Sequence, residues 1–233
     1  MRTFLRHGML GFWPCQEAAG VTKVNALNPG FNDLLDQNGV TQVAGPNASI
    51  PFAAGISDSV GNYLVSVGSP GLFANLPFAI ACVSQSLPFS LTTNGVVFGV
   101  GAVLNPTSAA ALAVRKSTVP VGLPVGYVTS SRNRMQTVGF DTGDVWFDGS
   151  WHLYCMYYDG KRLFFAIDDS QDYFSIPCVD LDLTGQDFLI GYGEHGNTQY
   201  SGGVCNVCAW NRVLTLSDRI DLFNGGLFLP FPV

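Results

Sequence analysis

The 233 residues predict an all-β fold: two antiparallel sheets stacked as a sandwich, with one short helix near the C-terminus. Three observations carry that expectation. Asp159-Gly160 stands between two apolar runs, residues 153–158 and 163–167. An Asp-Gly pair in that setting is a strong hairpin signal, because a type I′ turn needs positive φ at both central residues. Twenty-seven glycines and 13 prolines punctuate short apolar runs from end to end, which is the all-β pattern. Helical periodicity is confined to residues 216–224, with Ser217 as the expected N-cap and Gly225-Gly226 as the stop.

Taken in order, strands are expected near residues 8–14, 48–53, 62–67, 78–84, 89–92, 95–103, 110–115, 124–129, 134–139, 152–158, 161–168, 173–178, 187–192 and 203–211. The runs on either side of Asp159-Gly160 are apolar at consecutive positions, so the sheet that holds them is covered on both faces. No fixed-period repeat, low-complexity tract or linker divides the chain, and residues 1–233 are expected as one domain. Its apolar, proline-bearing tail, residues 227–233, either folds back on its own sandwich or reaches onto a neighbour.

A chain of this length buries roughly three-quarters of its unfolded surface and needs no covalent staples. Hydrophobic residues make up 47% and charged residues only 12%, about half the usual charged share. No run approaches the roughly 18 apolar residues of a membrane-spanning helix, so no membrane span is expected. A freely diffusing domain keeps more charge on its exterior, which suggests an exterior covered by other subunits. The net charge of −6, with Lys23, Lys116 and Lys161 the only lysines, argues against nucleic-acid binding. Arg6 and His7 interrupt the N-terminal apolar stretch, so no signal peptide is expected. Cys15, Cys82, Cys155, Cys178, Cys205 and Cys208 lie in apolar contexts and read as buried, mostly reduced thiols, consistent with assembly in a cytosol.

Motifs at both ends add a resemblance. Trp151-His152 precedes Asp159-Gly160, then come Gly191, Gly203 and Trp210-Asn211-Arg212 with Leu214. Near the start stand Leu10-Gly11-Phe12-Trp13-Pro14, Glu17-Ala18-Ala19-Gly20 and the segment 32–40. This wording resembles the concanavalin A-like lectin/glucanase superfamily and, within it, the laminin G-like jelly-roll domains. The likeness covers nearly the whole chain and is weak from about residue 85 to 145. It implies a concanavalin A-like jelly roll and leaves function open, since that fold hosts lectins, hydrolases, adhesion modules and structural proteins. Many relatives bind calcium at the rim through an acidic pair. The matching positions here hold Cys205 and Asn206, and calcium affinity falls as ligand charge is removed. The expectation is therefore no cofactor, with Asn206, Asp168 and Asp169 the first places a calcium ion would be sought.

A glycoside hydrolase needs paired carboxylates about 5–10 Å apart across a cleft. Glu17 and Glu194 are the only glutamates, and Asp180-Leu181-Asp182 lacks a third carboxylate on its strand. His7, His152 and His195 support no Ser-His-Asp arrangement, so the chain is not expected to be an enzyme. Cys205 and Cys208 form a C-x-x-C within a strand, where positions i and i+3 are expected on opposite faces, so packed thiols are favoured over a zinc site. Sugar recognition calls for aromatic faces with a few converging polar groups. The loop from Tyr192 to Tyr200, with Glu194, His195 and Asn197, fits that description, as do Trp146 and the basic pair Arg132 and Arg134. Each reads equally as a surface loop or a subunit contact. The leading expectation is a non-catalytic subunit of a large assembly: a bacteriophage virion protein, a capsid decoration or tail/fibre component, assembled in the host cytoplasm and touching copies of itself or other virion subunits. The alternative is a carbohydrate-binding adhesion module that recognises a host surface glycan or polysaccharide.

Overall fold

The computed structural model describes residues 3–57, 61–66, 72–73, 77–86, 95–101, 109–115, 123–129, 135–139, 148–170, 174–178, 181–192 and 200–228. Its strands are β1 (Met9–Trp13), β2 (Leu35–Gln37), β3 (Thr41–Asn47), β4 (Ile50–Ile56), β5 (Tyr63–Ser66), β6 (Phe78–Ser86), β7 (Gly95–Val100), β8 (Ala109–Arg115), β9 (Leu123–Thr129), β10 (Met135–Gly139), β11 (Trp151–Tyr158), β12 (Arg162–Ile167), β13 (Phe174–Pro177), β14 (Phe188–Ile190) and β15 (Gly202–Trp210). One antiparallel sheet runs β13-β12-β11-β6-β15-β4-β3, with β1 also paired to β15; the other runs β10-β9-β8-β7-β14-β5-β2. A single helical turn, α1 (Thr3–Arg6), precedes β1, and α2 (Leu216–Phe223) follows β15. The fold is a two-sheet antiparallel sandwich with a short C-terminal helix, as expected. The strand expected near 89–92 lies outside the described residues.

Four local readings change. β2 and β3 form where no strand is expected from the sequence. β3 tolerates Pro46 because the strand lies at the sheet edge and its register with β4 shifts between Ala44 and Asn47. The hairpin turn centres one residue later than expected. The Asp159 amide donates to the Arg162 carbonyl, and of Gly160 and Lys161 only Gly160 has positive φ (96°), the type II′ pattern rather than I′. Asp159 instead fixes the turn through Oδ1, which accepts from the Lys161 and Arg162 amides at 2.7 Å each. Finally, α2 is capped by Thr215, not Ser217: Thr215 Oγ1 accepts from the Asp218 amide while the Asp218 carboxylate accepts from the Thr215 amide.

The apolar alternation of β11 and β6 builds two layers, not one. Tyr154, Met156 and Tyr158 join Phe78, Ile80, Cys82, Trp13, Phe98, Phe188 and Ile190 between the sheets. Leu153, Cys155 and Tyr157 point the other way and join Ala79, Ala81, Val83, Phe12, Trp210, Leu214 and Phe228 on the outer face of the first sheet. The small alanines of β6 leave room for the chain ends to pack over them. Trp210 is thus fully buried, but outside the sandwich, where its Nε1 donates to the Leu5 carbonyl at 2.8 Å. Trp13, its counterpart between the sheets, donates to the Asn32 carbonyl at 2.8 Å. Of the tail, Phe228 folds back and meets Phe223 edge-on, while residues 229–233 lie outside the described residues.

This outer layer gives the Trp210-Asn211-Arg212 motif a mechanical role. Asn211 donates its amide to the Gly8 carbonyl, and Arg212 Nε donates to the His7 carbonyl at 2.9 Å. Arg212 also grips both oxygens of Asp218, at 2.7 and 3.1 Å. The motif therefore sews the N-terminal turn and α2 onto the sheet. A second apolar layer inside the chain also gives part of the apolar excess a buried place.

The geometry assumed for Cys205 and Cys208 does not hold. The register between β15 and β6 shifts between them, and Asn206 adopts φ 47°. This bulge inserts one residue, so both cysteines face the same outer layer. They remain packed thiols: all six cysteines are free and buried, and burial raises the thiol pKa of Cys15, Cys82, Cys205 and Cys208.

Candidate functional site

On the outer face of the second sheet, Tyr63 and Tyr192 pack together with ring centroids 4.4 Å apart and planes tilted at 34°. Strand alternation puts Tyr63 there. Leu64 faces the core, so Tyr63 and Val65 face outward, as does Leu189 between the inward Phe188 and Ile190. Val65 pairs with both Leu35 and Leu189, and Tyr63 pairs with Gln37. Gly191 aims Tyr192. Its φ is +83°, its amide donates to the Val97 carbonyl at 3.0 Å, and a Cβ there would sit 2.5 Å from Ile56 Cγ2. The backbone can therefore turn out of β14 over Ile56 and lay Tyr192 beside Tyr63.

Both tyrosines are half-buried over the nearly covered Val65 and Leu189, with Leu35 exposed beside them. Burial, then the neighbouring Tyr192 and Asp187, raises the pKa of the Tyr63 phenol. The group stays a neutral hydrogen-bond donor and acceptor at physiological pH. The arrangement offers two adjoining aromatic rings, with Gln37 the cross-strand partner of Tyr63 and Asp187 near enough for its charge to act on the Tyr63 phenol, a mixture of flat apolar surface and polar groups of the kind sugar rings require.

Of the residues expected at a glycan or partner contact, Tyr192 is placed at this surface. Tyr200 is fully buried in the inter-sheet layer, and its hydroxyl shares a 2.6 Å hydrogen bond with Ser84 Oγ, so its ring is not presented to a ligand. Glu194, His195, Asn197, Arg132, Arg134 and Trp146 lie outside the described residues. Sequence reading missed Tyr63, Gln37 and Asp187. Tyr63 is 129 positions from Tyr192, and only the pairing of β14 with β5 brings the two together.

The residues named for calcium do not converge. Asp168 Oδ2 pairs with His152 Nδ1 at 2.8 Å, and its Oδ1 accepts from the Leu153 amide at 2.8 Å. Asn206 lies three strands away across the sheet, roughly 14 Å. Among the described residues, no group of three His, Cys, Asp or Glu side chains is arranged to hold a metal ion. His152 also reaches Asp148 Oδ1 at 3.4 Å. Burial opposes its charged form, but the hydrogen bond and charge of Asp168, then of Asp148, outweigh it and raise the imidazole pKa above its ordinary value. His152 thus clamps the strand start between two carboxylates. No helix among the described residues is long and apolar enough to cross a membrane.

No protein-family profile and no curated protein sequence matches the chain. Solved structures do. The binding domain of Paraclostridial Mosquitocidal Protein 1 superposes with a TM-score of 0.70 at 11% identity, over 95% of this chain and 53% of that one. A botulinum neurotoxin type C structure, described as showing cell entry to depend on interaction with two ganglioside molecules, gives 0.67 at 11% identity, over 97% and 53%. Domain 4 of a GH43 extracellular arabinanase from Geobacillus stearothermophilus, in complex with arabinotriose, gives 0.61 at 16% identity, over 91% and 97%. The chain spans about half the length of the two toxin chains and nearly all of the arabinanase domain. At these identities the likeness establishes the fold: a β-sandwich architecture shared with binding domains.

Proposed function

We propose that this chain is a non-catalytic carbohydrate-binding module, a lectin-like jelly roll of the laminin G kind, that holds a saccharide against Tyr63 and Tyr192. The observation that carries the reading is the adjoining, half-buried tyrosine pair on an outer sheet face, with Gln37 opposite Tyr63 in the ladder and the charge of Asp187 acting on the Tyr63 phenol. The neighbours add support, since one holds arabinotriose and another is described as interacting with gangliosides. Sugars dock their C–H faces on such rings, and their hydroxyls pair with the amide and carboxylate. A contribution from Glu194, His195 and Asn197, two to five positions after Tyr192, belongs to the same proposal.

The virion-subunit reading rested on sparse charge, the absence of an export signal, apolar termini and the lost acidic pair. The similarity to domains that hold arabinotriose or are described with gangliosides favours the binding-module reading over it. The test is retention of the full chain on an array of neutral and acidic oligosaccharides. Retention of the unaltered protein and its loss in Tyr63→Ala/Tyr192→Ala are expected. No retention, or equal retention of the double variant, contradicts the proposal.

A further inference from the structure

His152, at the start of β11, has a carboxylate at each of its ring nitrogens. Nδ1 meets Asp168 Oδ2 at 2.8 Å, and Nε2 meets Asp148 Oδ1 at 3.4 Å. A carboxylate only accepts and a neutral imidazole has one N–H, so both contacts are hydrogen bonds only when the ring is the imidazolium. The two partners are held very differently. Asp168, 13% exposed, is locked to the strand: its amide donates to the Leu153 carbonyl at 2.7 Å, and its Oδ1 accepts from the Leu153 amide at 2.8 Å. Asp148, 41% exposed, belongs to the bend that leads into β11, and the same Oδ1 accepts from the Ser150 amide at 2.6 Å. From the neighbouring strand, β6 places Ser84 opposite His152 in the ladder, with the Ser84 hydroxyl engaged by the Tyr200 hydroxyl and the Gly203 carbonyl. On β11 itself, Tyr154 meets the ring edge-on with centroids 6.2 Å apart.

We propose that His152 is a pH-operated latch: protonated, it ties the bend at residues 148–150 to the turn after β12, and on losing its proton it keeps Asp168 and lets Asp148 go. The order of release follows from the geometry. One N–H remains, and the shorter, more buried contact retains it, because Asp168 is already fixed through its amide and its other carboxylate oxygen. Nε2 is then left with a lone pair facing a carboxylate, two acceptors at 3.4 Å with no hydrogen between them, and the exposed partner moves. Burial of the ring works against the imidazolium, but Asp168 and then Asp148 outweigh it. The latch is therefore closed below the raised folded pKa of the ring and opens as pH climbs through it. The bond from Gln85 Nε2 to the Gly149 carbonyl, 2.6 Å, contains no titrating group and stays as the pivot, which confines the movement to Asp148 and Ser150. The latch belongs to the first sheet and the tyrosine pair to the second, so the inference does not rest on the carbohydrate-binding reading.

The test is an NMR titration of the full, isotope-labelled chain from about pH 5 to 9. The ring nitrogens of His152 are expected to report the imidazolium at low pH and the Nδ1–H tautomer above the transition. The amides of Asp148 and Ser150 are expected to shift with the ring's own midpoint. In Asp148→Asn, at an exposed position, the midpoint is expected to fall because one carboxylate charge is gone. The Ser150 amide is expected to stop responding in that variant, because a carboxamide can donate to the bare Nε2. A ring that keeps its proton on Nε2 above the transition overturns the proposal, since Asp148 is then the partner retained. Amides of Asp148 and Ser150 that stay still through the ring's titration overturn it too, as does an unchanged midpoint in Asp148→Asn.

Discussion

Among the described residues, the two sheets treat their outer faces differently. The first sheet's outer face is roofed by the chain's own ends: α1, α2 and Phe228 close over Ala79, Ala81, Cys155, Cys208 and Trp210. On the second sheet, the described outer cluster is small, two nearly buried aliphatics topped by two half-buried tyrosines. The same strand alternation produces both, so the difference comes from what the chain places on top. A roofed face contributes stability. A partly roofed aromatic face keeps area available for a ligand.

The largest break in that contrast comes from Trp210→Ala. It removes a fully buried ring and leaves the Leu5 carbonyl without its donor, and we expect a loss of about 3–5 kcal/mol in chemical denaturation. Trp13→Ala, on the other face of the same sheet, should fall in the same range. A loss under about 1 kcal/mol for Trp210→Ala would show that the roof is not closed. Asp218→Ala strips the acceptor shared by Arg212 and Thr215, with an expected cost of roughly 2–4 kcal/mol and earlier loss of α2 in hydrogen exchange. Gly191→Ala forces a side chain into positive φ and against Ile56. It should cost about 1–3 kcal/mol and weaken sugar retention by displacing Tyr192.

Smaller effects sharpen the contrast. The folded-state pKa of His152 is raised above its ordinary 6.5, so its clamp contributes fully below that value and is lost as pH rises through the folded value. Thermal scans from pH 5 to 9 should therefore show a stability decline above about pH 6.5 that flattens in His152→Ala. Tyr192→Ala should change stability by less than about 1 kcal/mol, as expected for a half-exposed side chain, yet remove sugar binding.

The sandwich was legible because its signals are local: apolar runs, an Asp-Gly turn, a Trp-Asn-Arg strand end. What escaped was set by register and tertiary contact. One residue inserted at Asn206 reversed the expected facing of Cys208, and strand length alone could not announce it. The capping box of Thr215 and Asp218 was present in the sequence, but Ser217 drew the N-cap assignment. The double-layered burial of β11 was readable from its unbroken apolar run, though not which segments form the roof. Of the candidate site, Tyr192 was readable as an aromatic beside a polar loop. Tyr63 was not, since nothing local links it to a residue 129 positions away.

The most direct measurement is an amide NMR titration of the full chain with the sugar most strongly retained on the array. Shifts at Leu35, Tyr63, Val65, Leu189 and Tyr192, with the amides of Ala79, Ala81 and Trp210 unmoved, are the predicted result. A titration in which the amides of β5 and β14 stay still while the roofed face responds would contradict it.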